Sequence, residues 1–145
     1  MPYVVETSIG LDRMFLALFS NALNEEKLED GTSRVVLNIP APLAPIKVAV
    51  LPLVKKDGLP DKAREIMNLL KIEHQCHYEE KDSIGKRYRR QDAIGTPFCI
   101  TIDHDTLEDN AVTIRERDTM KQERVSISEL EAIINEKVNI KNLFI

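Results

Sequence analysis

The stretch that most constrains this chain is "IKVAVLPLV", Ile46 to Val54, followed almost at once by "DGLPDKAREIMNLL". An apolar run without polar alternation has no face to show water, so a strand built from it must be covered on both sides. The next segment changes period. Leu59, Ala63, Ile66, Met67 and Leu70 recur at three- and four-residue spacing, which predicts a helix with one apolar side. A fully buried strand feeding such a helix is the unit from which parallel sheets are made.

The pattern repeats downstream. "QCHYEE" (Gln75 to Glu80) reads as a second strand, and Ser83 to Ala93 as a second helix that opens on a serine cap and stops before Gly95 and Pro97. "PFCITID" (Pro97 to Asp103) is a third strand, joined by the turn "HDTLEDN" to "AVTIRERD" (Ala111 to Asp118). In that fourth strand alternation sets Val112, Ile114 and Glu116 against Thr113, Arg115 and Arg117. "RVSI" (Arg124 to Ile127) makes a fifth, and Ser128 with Glu131 reads as a capping box for a last helix with Leu130, Ile133, Ile134 and Val138 inward. The expected fold class is α/β, a mixed five-stranded sheet with helices on both faces.

Upstream of the sheet the pattern is different. "PYVVE" (Pro2 to Glu6) reads as the end of a strand, with Ser8 placed to cap a helix starting near Gly10. Leu11, Met14, Phe15, Leu18, Phe19, Ala22 and Leu23 line one side of that helix, which is expected to face a core. "NEEKLEDGTS" (Asn24 to Ser33) has the composition of a solvated linker, and "SRVVLNIPAPLAP" holds a short β-branched run, then prolines that favour an extended arm. A boundary between residues 1–32 and 33–145 is expected.

Several chemistries find no support in the residues. Cys76 and Cys99 form no CxxC pair, and no spacing among His74, Cys76, His77, Cys99 and His104 matches a zinc site, so no metal site is expected. "IGKR" lacks the upstream glycine of a phosphate loop, and no GxSxG elbow is present. No apolar run is long enough to span a membrane and no signal peptide precedes Glu6, which makes a reducing cytoplasm the expected compartment.

One charge feature stands out in a chain whose formal net charge is -4: Lys86, Arg87, Arg89 and Arg90 crowd into five positions of the second helix. Lys86 and Arg90 share a face at i, i+4. The cluster reads either as a solvated helix balanced by Glu79, Glu80, Asp82 and Asp92, or as a patch that grips phosphates. Composition leaves both open.

The residues also carry a resemblance. "VVETSIGLDRMFLALFSNA" (Val4 to Ala22) resembles the third signature motif of class II aminoacyl-tRNA synthetases. "LAPIKVAVLPLVKK", "SIGKRYRRQDAIGTPFCITID" and "TLEDNAVTIRERDTMKQ" resemble the carboxy-terminal anticodon-binding domain of the glycine-specific members of that family. The resemblance implies that residues 1–32 are the end of a catalytic domain and 33–145 an anticodon-binding domain, with the first two class II motifs upstream of Met1.

It further implies roles. Gly10, Leu11, Asp12 and Arg13 fall in the ATP-binding motif, Arg13 on the phosphates, while Glu6, Thr7, Ser8, Ile9 and Gly10 fall in the element that holds glycine, with Thr7 where the family commonly has proline. Asp105 and Glu108 as acceptors and Arg115 and Arg117 as donors are implied to read the anticodon, and Lys86, Arg87 and Arg90 to hold the tRNA backbone. The implied parent is an ATP-dependent glycine-tRNA ligase, using ATP with Mg2+ and dimerising through its catalytic portion. This piece is expected to bind glycine tRNA without completing a catalytic site and to need no cofactor of its own. The first helix is expected to fold back on the domain or to pair two chains. The alternatives are a stand-alone nucleic-acid-binding adaptor of the same fold, such as a polymerase accessory protein, and an interaction domain whose charged helix pairs with protein.

Overall fold

The computed structural model describes residues 3–28 and 31–144. A five-stranded sheet forms the centre, with strands β3 (Val48–Pro52), β4 (Cys76–Tyr78), β5 (Phe98–Ile102), β6 (Ala111–Glu116) and β7 (Gln122–Ser126) in the spatial order β4-β3-β5-β6-β7. β3 runs parallel to β4 and β5, whereas β5–β6 and β6–β7 are antiparallel, which makes the sheet mixed as its pattern requires.

Helices cover both faces. Val48, Val50, Ile100, Ile102, Val112 and Ile114 point to one side, where α2 (Leu59–Leu70) buries Leu59, Ala63, Ile66 and Leu70, and α5 (Ile127–Lys137) buries Leu130 and Ile134. Ala49, Leu51 and Cys99 face the other side, against Ile84 and Tyr88 of α3 (Ile84–Ile94). β3 is buried at every position because it meets helices on both faces. A four-residue helix α4 (Thr106–Asp109) occupies the turn between β5 and β6, ended by Asn110 in the left-handed region at φ 52°.

Helix boundaries correct two expected caps. α5 is capped by Ser126, whose side chain accepts from Ser128 N, so the Ser128–Glu131 box does not form. Helix α1 (Leu11–Ala22) has Gly10 at its N-cap with no side-chain cap bond, so Ser8 does not cap it.

The amino-terminal part departs furthest from expectation. Residues 3–10 form no strand and are exposed; the Pro2 end of the expected strand lies outside the described residues. α1 shows its apolar side largely to solvent, with Leu11 81% and Phe15 63% exposed, and only Ala22 buried. That same side, through Leu11, Met14, Phe15, Leu18 and Phe19, faces Leu37, Ile39, Leu43, Ala93 and Ile94 only across an open cavity of about 770 Å³. In place of a solvated linker, β1 (Leu23–Lys27) pairs antiparallel with β2 (Ser33–Leu37), Leu23 opposite Leu37 and Lys27 opposite Ser33. The expected 32/33 boundary falls at the end of that hairpin's turn, of which residues 29 and 30 lie outside the described residues. A short 3-10 turn, Ala41–Leu43, occupies the arm, and Lys47 Nζ donates to Ala41, Pro42 and Ala44 carbonyls there.

The hairpin is docked. Gly95 ends α3 at φ +83°, and a Cβ there would stand 3.1 Å from Leu37 O, so glycine satisfies both the left-handed turn and the close approach of β2.

Candidate nucleic-acid interface

The three parallel strands β3, β4 and β5 all end at one edge of the sheet, and ligands of open α/β sheets collect beyond such carboxyl ends. Because helices follow strands in this chain, α2, α3 and α5 all begin at that same edge. Their first turns bring the positive ends of three helix dipoles to that edge.

Exposed cations stand beside them. Lys55 and Lys56 follow β3, Lys81 follows β4 and Lys86 lies in the first turn of α3. None of these four lysines takes part in an ion pair among the described residues. The neighbouring acids are occupied elsewhere: Asp57 Oδ2 lies 3.1 Å from His104 Nε2, and Asp82 Oδ2 accepts from Arg90 Nη1 at 3.0 Å. Arg90 also pairs with Glu79 at 2.6 Å and donates to Lys81 O. The charge of the edge therefore rests on lysines.

Arg87 lies elsewhere than expected. It is 2% exposed, and its guanidinium donates to Pro52 O at 2.6 Å, Leu53 O at 3.1 Å and Glu79 O at 3.2 Å. Burial lowers its pKa, against the opposing pull of Glu79. A guanidinium buried in this way, with both terminal nitrogens engaged by carbonyls, turns no fork toward a phosphate. It cross-links the ends of β3 and β4 and so positions the loops that carry the lysines.

Arg115 and Arg117 are displaced more decisively. β6 runs opposite to β5, so Arg115 sits across from Cys99 and Arg117 N bonds to Pro97 O, at the amino end of the sheet. Asp105 and Glu108 lie past the carboxyl end, about 10 Å or more away along the strand. The structure thus separates the four residues expected to read bases together.

Both arginines are also sealed in. Arg115 donates to both oxygens of Asp92, at 2.8 and 3.0 Å, while Arg34 of β2 donates to Asp92 Oδ2 at 3.0 Å. Asp92 is fully buried, and the Arg115 guanidinium lies 4.7 Å from the Tyr88 ring centroid. Burial works against the Arg115 charge, yet hydrogen bonds and charge from Asp92 hold its pKa above the ordinary value. Arg117 donates to Gly95 O and Ile39 O at 2.8 Å each and pairs with Asp118 at 2.6 Å. Arg34 adds Glu26 at 2.6 Å and the carbonyl of Arg117. This network ties β2, α3 and β6 together and clamps the hairpin on the domain.

Asp105, which precedes α4, and Glu108 on it remain exposed, with no side-chain partner among the described residues. Their platform is fixed by Asp103, which accepts from Thr106 N at 2.9 Å, Thr106 Oγ1 at 2.8 Å and Arg124 Nη1 at 3.0 Å. Arg124 in turn reaches Asp109 at 2.8 Å. Partial burial raises the Asp103 pKa, but the Arg124 and Thr106 hydrogen bonds outweigh it and the net shift is downward.

The segment resembling the third class II motif is open. Glu6, Thr7, Ser8, Ile9, Gly10, Leu11, Asp12 and Arg13 are all exposed, and no ion pair among the described residues holds Glu6, Asp12 or Arg13. Among the described residues no group of three or more His, Cys, Asp or Glu could hold a metal. No helix among them is long and apolar enough to cross a membrane.

Residues that sequence reasoning missed are Arg34 and Asp92, for which no local signal exists, and Lys55 and Lys56, which their position after a buried strand could have flagged.

Comparison with known proteins agrees with this architecture. The family model described as "Anticodon binding domain" matches residues 47–137, which take in the whole five-stranded sheet and its helices. The chain is 55% identical over 117 residues to the glycine–tRNA ligase of Clostridium acetobutylicum, covering 81% of this chain and 25% of that protein. It is 50% identical over 117 residues to that of Borrelia hermsii, covering 81% and 26%, and 55% identical to that of Malacoplasma penetrans, covering 81% and 25%. The chain spans about a quarter of the length of the relatives it matches.

Proposed function

This chain belongs to the anticodon-binding domain family, and on that premise we propose that it is the tRNA-reading part of a glycine–tRNA ligase, with the carboxyl edge of its sheet as the surface that meets the anticodon loop. The observation that carries the surface is the gathering of unpaired Lys55, Lys56, Lys81 and Lys86 with three helix amino termini at one edge of an otherwise acidic chain. Such a surface supplies sequence-independent hold on phosphates. Asp105 and Glu108, on the same edge, supply acceptors. A glycine anticodon carries two cytosines, whose exocyclic amino groups are donors that a carboxylate accepts.

The activity belongs to the longer protein. In it, ATP would activate glycine as glycyl-adenylate with release of pyrophosphate, and the glycyl group would pass to a tRNA hydroxyl with release of AMP. Arg13 beside the amino terminus of α1, with Gly10, Leu11 and Asp12, would hold ATP phosphates; Glu6 through Gly10 would hold the glycine ammonium and ATP. Mg2+ would arrive on the nucleotide. A homodimer formed through the catalytic portion and a cytoplasmic setting complete the proposal. The identity to glycine–tRNA ligases across 81% of the chain favours this over a stand-alone adaptor.

The test is a salt titration of glycine tRNA binding. Replacing Lys55, Lys56 and Lys86 together by glutamine should flatten the dependence of log affinity on log salt by about two to three, since each phosphate neutralised contributes about 0.7 to 0.9. An unchanged slope would move the interface off this edge.

A further inference from the structure

The segment between α1 and the five-stranded sheet is built as a joint and not as a tether. α1 runs into β1 without an intervening residue, and the Leu23 amide still donates to Phe19 O. The carbonyl of Ala22, the last helical residue, accepts from Asn38 N at 2.7 Å and from Asn24 Nδ2 at 3.0 Å. Ala22 itself is buried with Leu37 and Ile39. The end of α1 is thus fastened to both strands of the hairpin, whereas an unpaired chain of the same length would leave it free to swing.

One side chain carries the fastening on to the domain. Arg34 of β2 is 3% exposed, and its guanidinium meets Glu26 of β1 at 2.6 Å, Asp92 of α3 at 3.0 Å and the carbonyl of Arg117, just past β6, at 3.0 Å. Charge-assisted bonds from a planar fork fix direction as well as distance. Arg89 of α3 adds a bond to Ser33 O at 2.6 Å, and Arg117 one to Ile39 O at 2.8 Å. Arg34 is also separable from the domain it grips, because Asp92 would keep both of its bonds from Arg115 without it.

We infer that Arg34 is a positioning residue for the transfer of glycine to tRNA: it holds α1, with the ATP-holding segment at its amino end, in one orientation relative to the edge that meets the RNA. This rests on the reading of the chain as the tRNA-binding part of a glycine–tRNA ligase. A tRNA gripped at its anticodon loop by one part of a protein and reacting at its 3′ end in another benefits from a stiff connection. The second engagement is then intramolecular, at an effective concentration that a loose connection dilutes. Orientation set by the fold need not be found again at the reacting end. Steps that use only ATP and glycine, and RNAs without an anticodon arm, gain nothing from the joint.

The experiment uses the longer protein of which this chain is proposed to be part, with three readouts: exchange of labelled pyrophosphate into ATP, charging of glycine tRNA, and charging of a minihelix made of its acceptor arm alone. Arg34→Met should lower kcat/KM for the tRNA about tenfold or more and leave the exchange rate and the minihelix unchanged. The exchange rate decides where the minihelix is charged too slowly to measure. Arg89→Ala, which removes a smaller tie, should act in the same direction to a lesser degree. Equal loss in all readouts reduces Arg34 to a stability role and overturns the joint, as does undiminished charging of the tRNA by both variants. In this chain, hydrogen exchange should show the amides of β1 and β2 losing protection in Arg34→Met while β3 and β5 keep theirs. Unchanged protection of the hairpin, or loss throughout, also counts against it. If the unmodified protein neither exchanges pyrophosphate nor charges glycine tRNA, the ligase reading falls and the joint with it. If it does both and the variants do not separate the readouts, the joint alone falls.

Discussion

The two ends of the sheet carry similar numbers of cations and use them in opposite ways. At the amino end Arg34, Arg115 and Arg117 are buried, each with a carboxylate partner, and their forks are filled by Asp92, Glu26, Asp118 and backbone carbonyls. At the carboxyl end Lys55, Lys56, Lys81 and Lys86 are exposed, while nearby Asp57 and Asp82 are taken by His104 and Arg90. The chemistry of the side chains fits the division. A planar guanidinium can satisfy several fixed acceptors at once and so survives burial, whereas a compact, hydrated ammonium on a flexible stem suits a loose hold on phosphates. The difference teaches that a cluster of basic residues says little about nucleic acid until each one's acceptors are counted.

The comparison breaks most readily at Asp92. Asp92→Ala leaves the Arg115 charge buried without its carboxylate, so unfolding stability should fall by about 3–5 kcal/mol. Urea denaturation measures the loss. Binding of glycine tRNA by the fraction still folded should keep its salt slope; a flattened slope would mean that the amino end also touches RNA.

Next in size is the mirror experiment. Glutamine at Lys55, Lys56 and Lys86 should cost less than about 0.5 kcal/mol of stability, as expected for exposed side chains without partners. The same variant should lose tRNA affinity at physiological salt, by about tenfold or more. Destabilisation comparable to Asp92→Ala would erase the distinction between the two ends.

Arg87 sharpens the contrast because it belongs to the carboxyl end by position and to the amino end by behaviour. Arg87→Lys keeps the charge but loses the fork that joins Pro52, Leu53 and Glu79 carbonyls. Stability should drop by about 1–3 kcal/mol, with tRNA binding weakened at unchanged salt slope, since no phosphate contact is removed. A reduced slope measured by titration would restore Arg87 to the phosphates.

What the sequence disclosed follows the same line. The five strands and the helices α2, α3 and α5 were legible because their apolar periodicity is local, and β3 announced its two-sided burial by having no polar alternation at all. The β1–β2 hairpin was hidden because Asn24, Glu25, Glu26 and Lys27 look like a solvated linker. Their strand is held by backbone pairing and by Arg34, whose partner Asp92 lies 58 residues away. Arg115 and Arg117 were misplaced for a related reason: alternation correctly gave them a shared face, but no local pattern says that this face is closed by α3 and β2. Asp105 and Glu108 were placed as expected, on an exposed turn beyond β5.

The smallest effect lies under α4, where Asp103 supports the platform of Asp105 and Glu108. Its folded pKa is lowered, because hydrogen bonds from Arg124 and Thr106 outweigh the burial that would raise it. A carboxylate of this kind contributes stability that is fully present above its unfolded pKa of about 3.9 and is lost as pH falls through the lower folded value. Asp103→Asn removes the titrating group, so the stability difference between the two proteins should be constant from neutral pH down to about pH 4 and shrink below it. Parallel urea denaturation of both proteins across that range measures it. If Asp105 and Glu108 accept from a cytosine as proposed, preference for that cytosine over uracil weakens in Asp103→Asn, and an unchanged preference would detach the platform from base reading.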